Sequence, residues 1–271
     1  LEAEVETAAR MLTTEMGKTL VQARGEVLKS AKNLRFYAEK AEEFMTGREL
    51  PAAAVGASRA YTTYEPIGAI LAVMPWNYPL WQVIRFAAPA LMAGNTVLLK
   101  HASNVPQSAL YLESIFLRGG FPAGSLNTLL IGAAKVEGVL RDRRVVAATL
   151  TGSEPAGRSV AAIAGSEVKP VVLELGGSDP FIVLPSADLG KAVATAVTAR
   201  TSNNGQACIN AKRFIVHADV YDAFVEQFSA AMAALRVEIS PPFWATWWFR
   251  GVLLALAGVG LLAMHRVRVR H

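Results

Sequence analysis

From residue 67 onward, short runs rich in Val, Ile and Leu alternate with segments of helical period, and this alternation admits few folds. "IGAILAVMP", "TVLLKHA", "LNTLLIG" and "VVAATLTG" are near-continuously apolar, as strands covered on both faces must be. Between and after them lie "PLWQVIRFAAPALMAGN", closing at Gly94, "PQSALYLESIFLRGG", "AKVEGVLRD" and "EPAGRSVAAIAG", all of helical length. The pattern predicts βαβ units and an α/β fold built on a parallel sheet. It continues through "VKPVVLELGG", "DPFIVLP", a helix from Asp188 to about Ser202, the strand "KRFIVH" and a helix from Asp219 to Leu235. Ahead of it, residues 2–45 read as helix interrupted at Gly17, because Val5, Ala8, Ala9 and Leu12, then Val27, Leu34, Ala38 and Ala41, keep a 3.6-residue period. Residues 46–68 read as extended, with Tyr61, Thr63 and Glu65 alternating against Thr62 and Tyr64.

The 271 residues suffice for one or two domains, and 52% are apolar against 18% charged. Of the net charge of +5, residues 237–271 supply +3, from Arg250, Arg266, Arg268 and Arg270 against Glu238. The rest of the chain is too near neutrality, and too poor in basic runs interleaved with aromatics, to suggest nucleic-acid binding. A single cysteine excludes an internal disulfide and fits a reducing compartment. The acidic, amphipathic start lacks the pattern of a signal peptide.

Five features carry candidate chemistry. In "TLTGSEPAGRSV" a strand ends on a Gly turn that opens a helix, so Gly152 and Ser153 suit a pyrophosphate; an ordinary βα turn explains them too. Lys100 ends a strand of the same sheet, where α/β folds bind ligands, or is a solvated strand-end lysine. In "PWNYP" two prolines restrain Asn77, whose amide then resembles a preorganised oxyanion donor, or simply caps a turn. "LELGGSDP" places Glu174 among apolar residues, where a carboxylate gains basicity suited to general-base work; pairing with a cation is the structural alternative. Cys208, in "NNGQACINAKRF", has Lys212 and Arg213 nearby in sequence, and cationic neighbours favour the nucleophilic thiolate. Plain burial is the commoner state of such a residue.

Taken together and in order, "EMGKTL", "PWNYP", "AGNTVLLKHA", "TGS", "LELGGSDP" and "NNGQAC" resemble the aldehyde dehydrogenase superfamily over about residues 2–236. The resemblance implies a Rossmann-like NAD(P)-binding domain over 1–173, with its N-terminal part missing. It further implies the start of an incomplete catalytic domain over 174–236. Cys208 would attack the aldehyde, Asn77 and the Cys208 N–H would hold the oxyanion, and Glu174 would activate water. Lys100 would contact the adenosine ribose and Ser153 the pyrophosphate, with Gly152 and Trp76 in the same cofactor site. Ser103 stands where many NAD-preferring members carry a carboxylate, so NADP, as well as NAD, is an implied cofactor. "PWNYPLWQVIR" and "LELGGSDPFIVL" most resemble the succinate-semialdehyde dehydrogenase branch. Arg85, two helical turns past Asn77, would then face the substrate tunnel and bind a distal carboxylate, with Tyr78 and Trp81 lining the tunnel. A surface arginine and two packing aromatics are the alternatives. His101, next to Ser103, is a further candidate for the 2′-phosphate.

The pattern is about half the family's length. No E-x-F-G-P motif follows residue 236, and the strand through which the family homo-oligomerises is expected to be absent. Little or no turnover is therefore expected of this chain alone. Residues 237–271 differ in kind: Trp244, Trp247, Trp248 and Phe249 precede an uncharged run from 251 to 264, and Arg266, Arg268 and Arg270 follow. Aromatics, apolar run and basic flank suggest a C-terminal hydrophobic helix with membrane contact through 243–264. The segment resembles the juxtamembrane and transmembrane region of two-component sensor kinases, which makes a chimera of unrelated halves the expectation. Residues 1–236 are expected in the cytoplasm. A non-catalytic, membrane-tethered nucleotide-binding or scaffold fragment is the rival reading, and a cofactor-free thioesterase a second.

Overall fold

The computed structural model describes residues 1–236 and, beyond them, only 251–252 and 255–256. The chain forms two units, Leu1–Ala231 and Met232–His271. The hydrophobic helix, membrane contact and sensor-kinase resemblance expected of 237–271 lie outside the described residues. Among those described, no helix is long and apolar enough to cross a membrane.

The first unit opens with two helices, α1 (Val5–Met16) and α2 (Leu20–Met45), separated at Gly17. Gly17 is left-handed (φ 77°), which ends α1 where a side chain would be strained. Two short antiparallel strands follow, β1 (Glu49–Leu50) and β2 (Ala60–Tyr61). The rest of the stretch expected to be extended carries only a single 3₁₀ turn, Ala52–Val55, and irregular backbone. The alternating region then folds as expected: β3 (Ala69–Met74), α3 (Trp81–Met92), β4 (Thr96–His101), α4 (Pro106–Arg118), β5 (Leu126–Thr128), α5 (Val136–Arg141), β6 (Val145–Gly152), α6 (Glu154–Ser166) and β7 (Val171–Leu175). The remainder comprises β8 (Asp179–Val183), α7 (Leu189–Thr201), β9 (Ala211–Val216) and α8 (Ala218–Ala233).

β3 to β7 form one parallel sheet in the order β5-β4-β3-β6-β7. β3 is central, and the chain first winds to one side of it and then to the other. The crevice outside the carboxyl ends of β3 and β6 is therefore the switch point of the topology, the place where such sheets bind ligands. One face buries Ile70, Ala72, Val97 and Leu99 against α3, α4 and the α1–α2 pair; the other buries Leu71, Ala148 and Leu150 against α5 and α6. Gly157 lets α6 lie close to the sheet, since a Cβ there would come within 2.6 Å of Leu175 Cδ2. β8 and β9 form a separate parallel pair whose inner face packs Val183 and Phe214 against Val193, Phe224 and Phe228 of α7 and α8. The change of sheet falls at 176–178, after β7, whereas the boundary expected at 173/174 cuts that strand.

Leu71 is fully buried at the centre of the second core cluster. Leu71→Ala is expected to destabilise the fold by about 2–5 kcal/mol, read as a lower urea midpoint at unchanged slope.

Candidate active site

β3 ends at Met74 and delivers the chain into the turn Pro75–Pro79, after which α3 begins. Neither proline has an N–H, so the turn is fixed from outside. The Pro79 carbonyl lies 2.9 Å from His101 Nε2, and the Ala102 N–H donates to His101 Nδ1 at 2.9 Å. Nδ1 accepts, so the proton sits on Nε2 and the ring donates to Pro79. His101 is buried, at 5% exposure, and burial lowers its pKa from the ordinary value; the carbonyls of Pro79 and Met74 oppose that shift. It is therefore part of the turn's scaffold, and the 2′-phosphate contact considered for it is corrected: a side chain enclosed here does not reach out to a ligand beside Ser103.

Asn77 is held at both ends. Its Nδ2 donates to the Gln206 carbonyl at 2.7 Å, the Tyr78 N–H donates to its Oδ1 at 3.1 Å, and Asn203 Nδ2 donates to its carbonyl at 2.7 Å. An amide group carries two N–H bonds, so one anchors Asn77 to the cysteine loop and the other is left for a ligand. The loop itself is built by "NNG": Asn203, Asn204 and Gly205 all have positive φ, at 55°, 55° and 76°. Asn and Gly are the residues that tolerate this conformation. Cys208 follows, half-buried, between that turn and β9. Lys212 Nζ donates to the Cys208 and Gly177 carbonyls, each at 2.6 Å, and Arg213 Nε donates to the Ser178 carbonyl at 3.0 Å. These two cations tie the cysteine loop to the segment after β7, and each bonds backbone oxygen.

One cavity of about 290 Å³ unites much of the expected site. Trp76, Asn77, Gly152, Ser153, Glu174 and Cys208 all line it, at the switch-point crevice. Ser153 caps the 13-residue α6, its Oγ accepting the Ala156 N–H at 3.4 Å. A helix N-terminus at this crevice, beside a Gly-Ser turn, fits an extended phosphate-bearing ligand such as a dinucleotide.

Other expectations are redirected. Glu174 is not enclosed by apolar groups: its side chain is 57% exposed, and Arg85 Nη2 stands 3.9 Å from Oε2. Among the described residues β7 is an edge strand, and alternation sends the neighbouring Leu173 towards the α5–α6 core instead. Arg85 does not line the Cys208 cavity. It lines an adjoining groove of about 620 Å³, which shares Gln82, Thr151 and Glu174 with that cavity. Tyr78 and Trp81, expected along a tunnel, line neither space. Tyr78 lies 4.2 Å beneath Lys18 Nζ, and the Trp81 ring 3.8 Å beneath Lys29 Nζ, so both face α2 and its approach. Lys100 sits half-buried at the carboxyl end of β4, in register with Val73, and Ser103 is exposed just beyond; neither lines the Cys208 cavity.

Gln82 was not anticipated. It is buried, at 4% exposure, lines both spaces, and its Oε1 has no hydrogen-bond partner among the described residues. The available signal was a lone amide in the apolar stretch "LWQVI", two residues before a core isoleucine. Nor does the sequence pattern mark Lys18 and Glu26, which form a buried ion pair.

This fold, a switch-point crevice joined to a cysteine loop, is matched by the comparisons with known proteins. The chain belongs to the aldehyde dehydrogenase family, whose profile matches residues 1–243. It is 68% identical over 237 residues to "Succinate-semialdehyde dehydrogenase [NADP(+)] 1" of Mycobacterium bovis, covering 88% of this chain and 52% of that protein. Over the same length it is 66% identical to "Succinate-semialdehyde dehydrogenase [NADP(+)]" of Mycolicibacterium paratuberculosis, covering 50% of that protein. Among solved structures, succinic semialdehyde dehydrogenase from Streptococcus pyogenes in complex with NADP+ superposes with a TM-score of 0.83 at 39% identity, covering 87% of this chain and 51% of that one. The chain thus spans about half the length of the curated relatives it matches.

His101 generates a pH prediction. Its folded-state pKa lies below the ordinary 6.5, so below that pH the unfolded chain binds a proton that the folded chain resists. Its contribution to stability is therefore present above about pH 6.5 and is lost as pH falls, at up to ~1.4 kcal/mol per unit. Urea midpoints measured from pH 7.5 down to 5 are expected to fall, and His101→Gln to flatten the decline.

Proposed function

We propose that this chain carries the nucleotide-binding part and the nucleophile of an NADP-linked oxidation of succinate semialdehyde to the acid. The observation that carries the reading is the meeting of Asn77, Glu174 and Cys208 on one cavity with the Gly152-Ser153 turn. The relatives named for this reaction, at 68% identity, support it.

In this reading the Cys208 thiolate adds to the aldehyde carbon, and the carbonyl oxygen becomes an oxyanion. Asn77 meets it with the N–H not used on Gln206, already oriented, so no reorganisation opposes the step. NADP+, when bound, supplies the hydride acceptor that turns the thiohemiacetal into a thioester. Gly152, Ser153 and the N-terminus of α6 would hold its pyrophosphate, with Trp76 alongside. Lys100 would meet the adenosine ribose, and Ser103 brings no carboxylate to repel a 2′-phosphate. Glu174 then takes a proton from water, the hydroxide adds to the thioester, and the thiolate leaves with release of the acid.

Arg85 supplies the cation for the substrate's distal carboxylate, from the adjoining groove. Its present partner is Glu174, at 3.9 Å and largely exposed, a weak pairing. A bound substrate carboxylate would draw the guanidinium away and leave Glu174 to its water.

Single-turnover labelling tests the reading. With succinate semialdehyde and NADP+, the mass of Cys208 is expected to rise by one succinyl group, and Cys208→Ala to abolish the adduct. Asn77→Ala is expected to slow its formation by about 10²–10³-fold. Absence of both the adduct and nucleotide-dependent protection of the thiol would overturn the proposal.

A further inference from the structure

Lys18, in the "EMGKTL" motif, has no place in the chemistry above. Even so, it heads the fully buried side chains of the described residues by size, and its partner Glu26 is 3% exposed. The two form an ion pair between the start of α2 and the chain just before it, both side chains at 0% exposure. A pair of this kind gives little net stability over apolar residues of equal volume, because desolvation offsets the attraction. What it holds is more informative. Glu26 Oε1 accepts the N–H groups of Leu80 at 2.8 Å and Trp81 at 2.9 Å, and Oε2 takes the Lys18 ammonium. That ammonium lies over the Tyr78 ring. Burial pulls the Lys18 pKa below its ordinary value and Glu26 opposes the shift, so the cation depends on this one carboxylate.

The contacts close into a ring. From Glu26 the path runs through Leu80 and Trp81 back along the turn to Asn77. It crosses from the Asn77 carbonyl to Asn203, and from neighbouring Asn204, whose Nδ2 donates to the Gly17 carbonyl at 2.7 Å, it returns to the residue before Lys18. Asn77 also reaches Gln206, two residues before Cys208. A closed ring restrains each member from both sides, so a cut at any one point leaves the turn and the cysteine loop held from one side only.

We propose that the buried Lys18–Glu26 pair is a positioning element of this site, holding the Pro75–Pro79 turn from behind and so fixing both the Asn77 amide and the Cys208 loop. It rests on the reading of Asn77 and Cys208 given above, but its test does not require catalysis. Cys208 is the only cysteine of the chain, so the rate of alkylation by iodoacetamide reports that loop alone.

Glu26→Ala is expected to speed alkylation roughly fivefold, the change in open population that loss of one helix cap produces. Asn77→Ala removes the Gln206 contact while the Asn77 carbonyl keeps its Asn203 donor, and it too should speed alkylation. Lys18→Met with Glu26→Gln removes both charges but keeps an acceptor oxygen and the volume, and should restore the wild-type rate. Asn204→Gly cuts the ring at an exposed residue and keeps the left-handed backbone, so it folds even where Glu26→Ala does not; it too should speed alkylation. A lower Tm in Glu26→Ala with an unchanged alkylation rate would assign the pair a purely structural role. An unchanged rate in Asn204→Gly would equally overturn the proposal. Failure of the succinyl adduct to form on Cys208 would leave this one standing.

Discussion

The turn Pro75–Pro79 has no ladder to sit in and two residues without an N–H, so its shape is imposed by hydrogen bonds from elsewhere. His101 of β4 takes the Pro79 carbonyl, Asn203 takes the Asn77 carbonyl, and Glu26 of α2 takes the amides of Leu80 and Trp81. Buried polar groups of this kind are costly when unpaired. The turn therefore adopts one geometry only when α2, β4 and the cysteine loop are all in place. The position of the Asn77 amide is in that sense a property of the whole first unit, not of the five residues that spell the motif.

The same need explains why the two N-terminal helices belong to the sheet's structure. α3 and α4 start at Leu80 and Val105, neither of which has a side chain able to cap, and both starts are at least partly enclosed. Their free amides are met by carboxylates from a distance. Glu26 serves α3, and Glu15 of α1 accepts the Gln107 and Ser108 amides at 2.6 and 2.9 Å to serve α4. A carboxylate at a helix N-terminus also meets the positive end of the helix dipole. α6 and α7, by contrast, carry their own caps in Ser153 and Asp188. The division follows from sequence: local capping where a Ser or Asp is available, remote capping where an apolar residue is needed at the same position for the core.

Much of the fold was legible because β3 to β7 are short apolar runs set off by Gly, Pro and polar turns, and because Gly17 and Gly94 stand where left-handed residues end a helix. The meeting of Asn77, Glu174 and Cys208 was legible only as a set, since each residue alone had an ordinary explanation. Side-chain direction was not legible. Glu174 sits between two leucines in sequence, but strand alternation sends Leu173 to the other face, and an edge strand leaves the carboxylate open. Tyr78 and Trp81 are one and four residues from Asn77, yet the entry into α3 turns them towards Lys18 and Lys29. Lys18 and Glu26 were invisible as a pair because charged residues near a helix start are usually solvated, whereas here both side chains are fully enclosed.

The candidate site also joins two sheets. Asn77 and Glu174 belong to the large sheet and its turns, while Cys208 leads into the β8–β9 pair. The joints are hydrogen bonds to backbone: Asn77 to the Gln206 carbonyl, Lys212 to the carbonyls of Gly177 and Cys208, and Arg213 to that of Ser178. A backbone acceptor is present whatever side chain it carries, so the register between nucleophile loop and base strand depends on few side-chain identities: the amides of Asn77 and Asn203 and two cations. Lys212 bridges both sides at once, and its three hydrogens suit it to that role where a single donor would not. Substitution elsewhere in either loop leaves these acceptors in place. The chemistry of the site is thus carried by few side chains, and its geometry by main chain that those side chains grip.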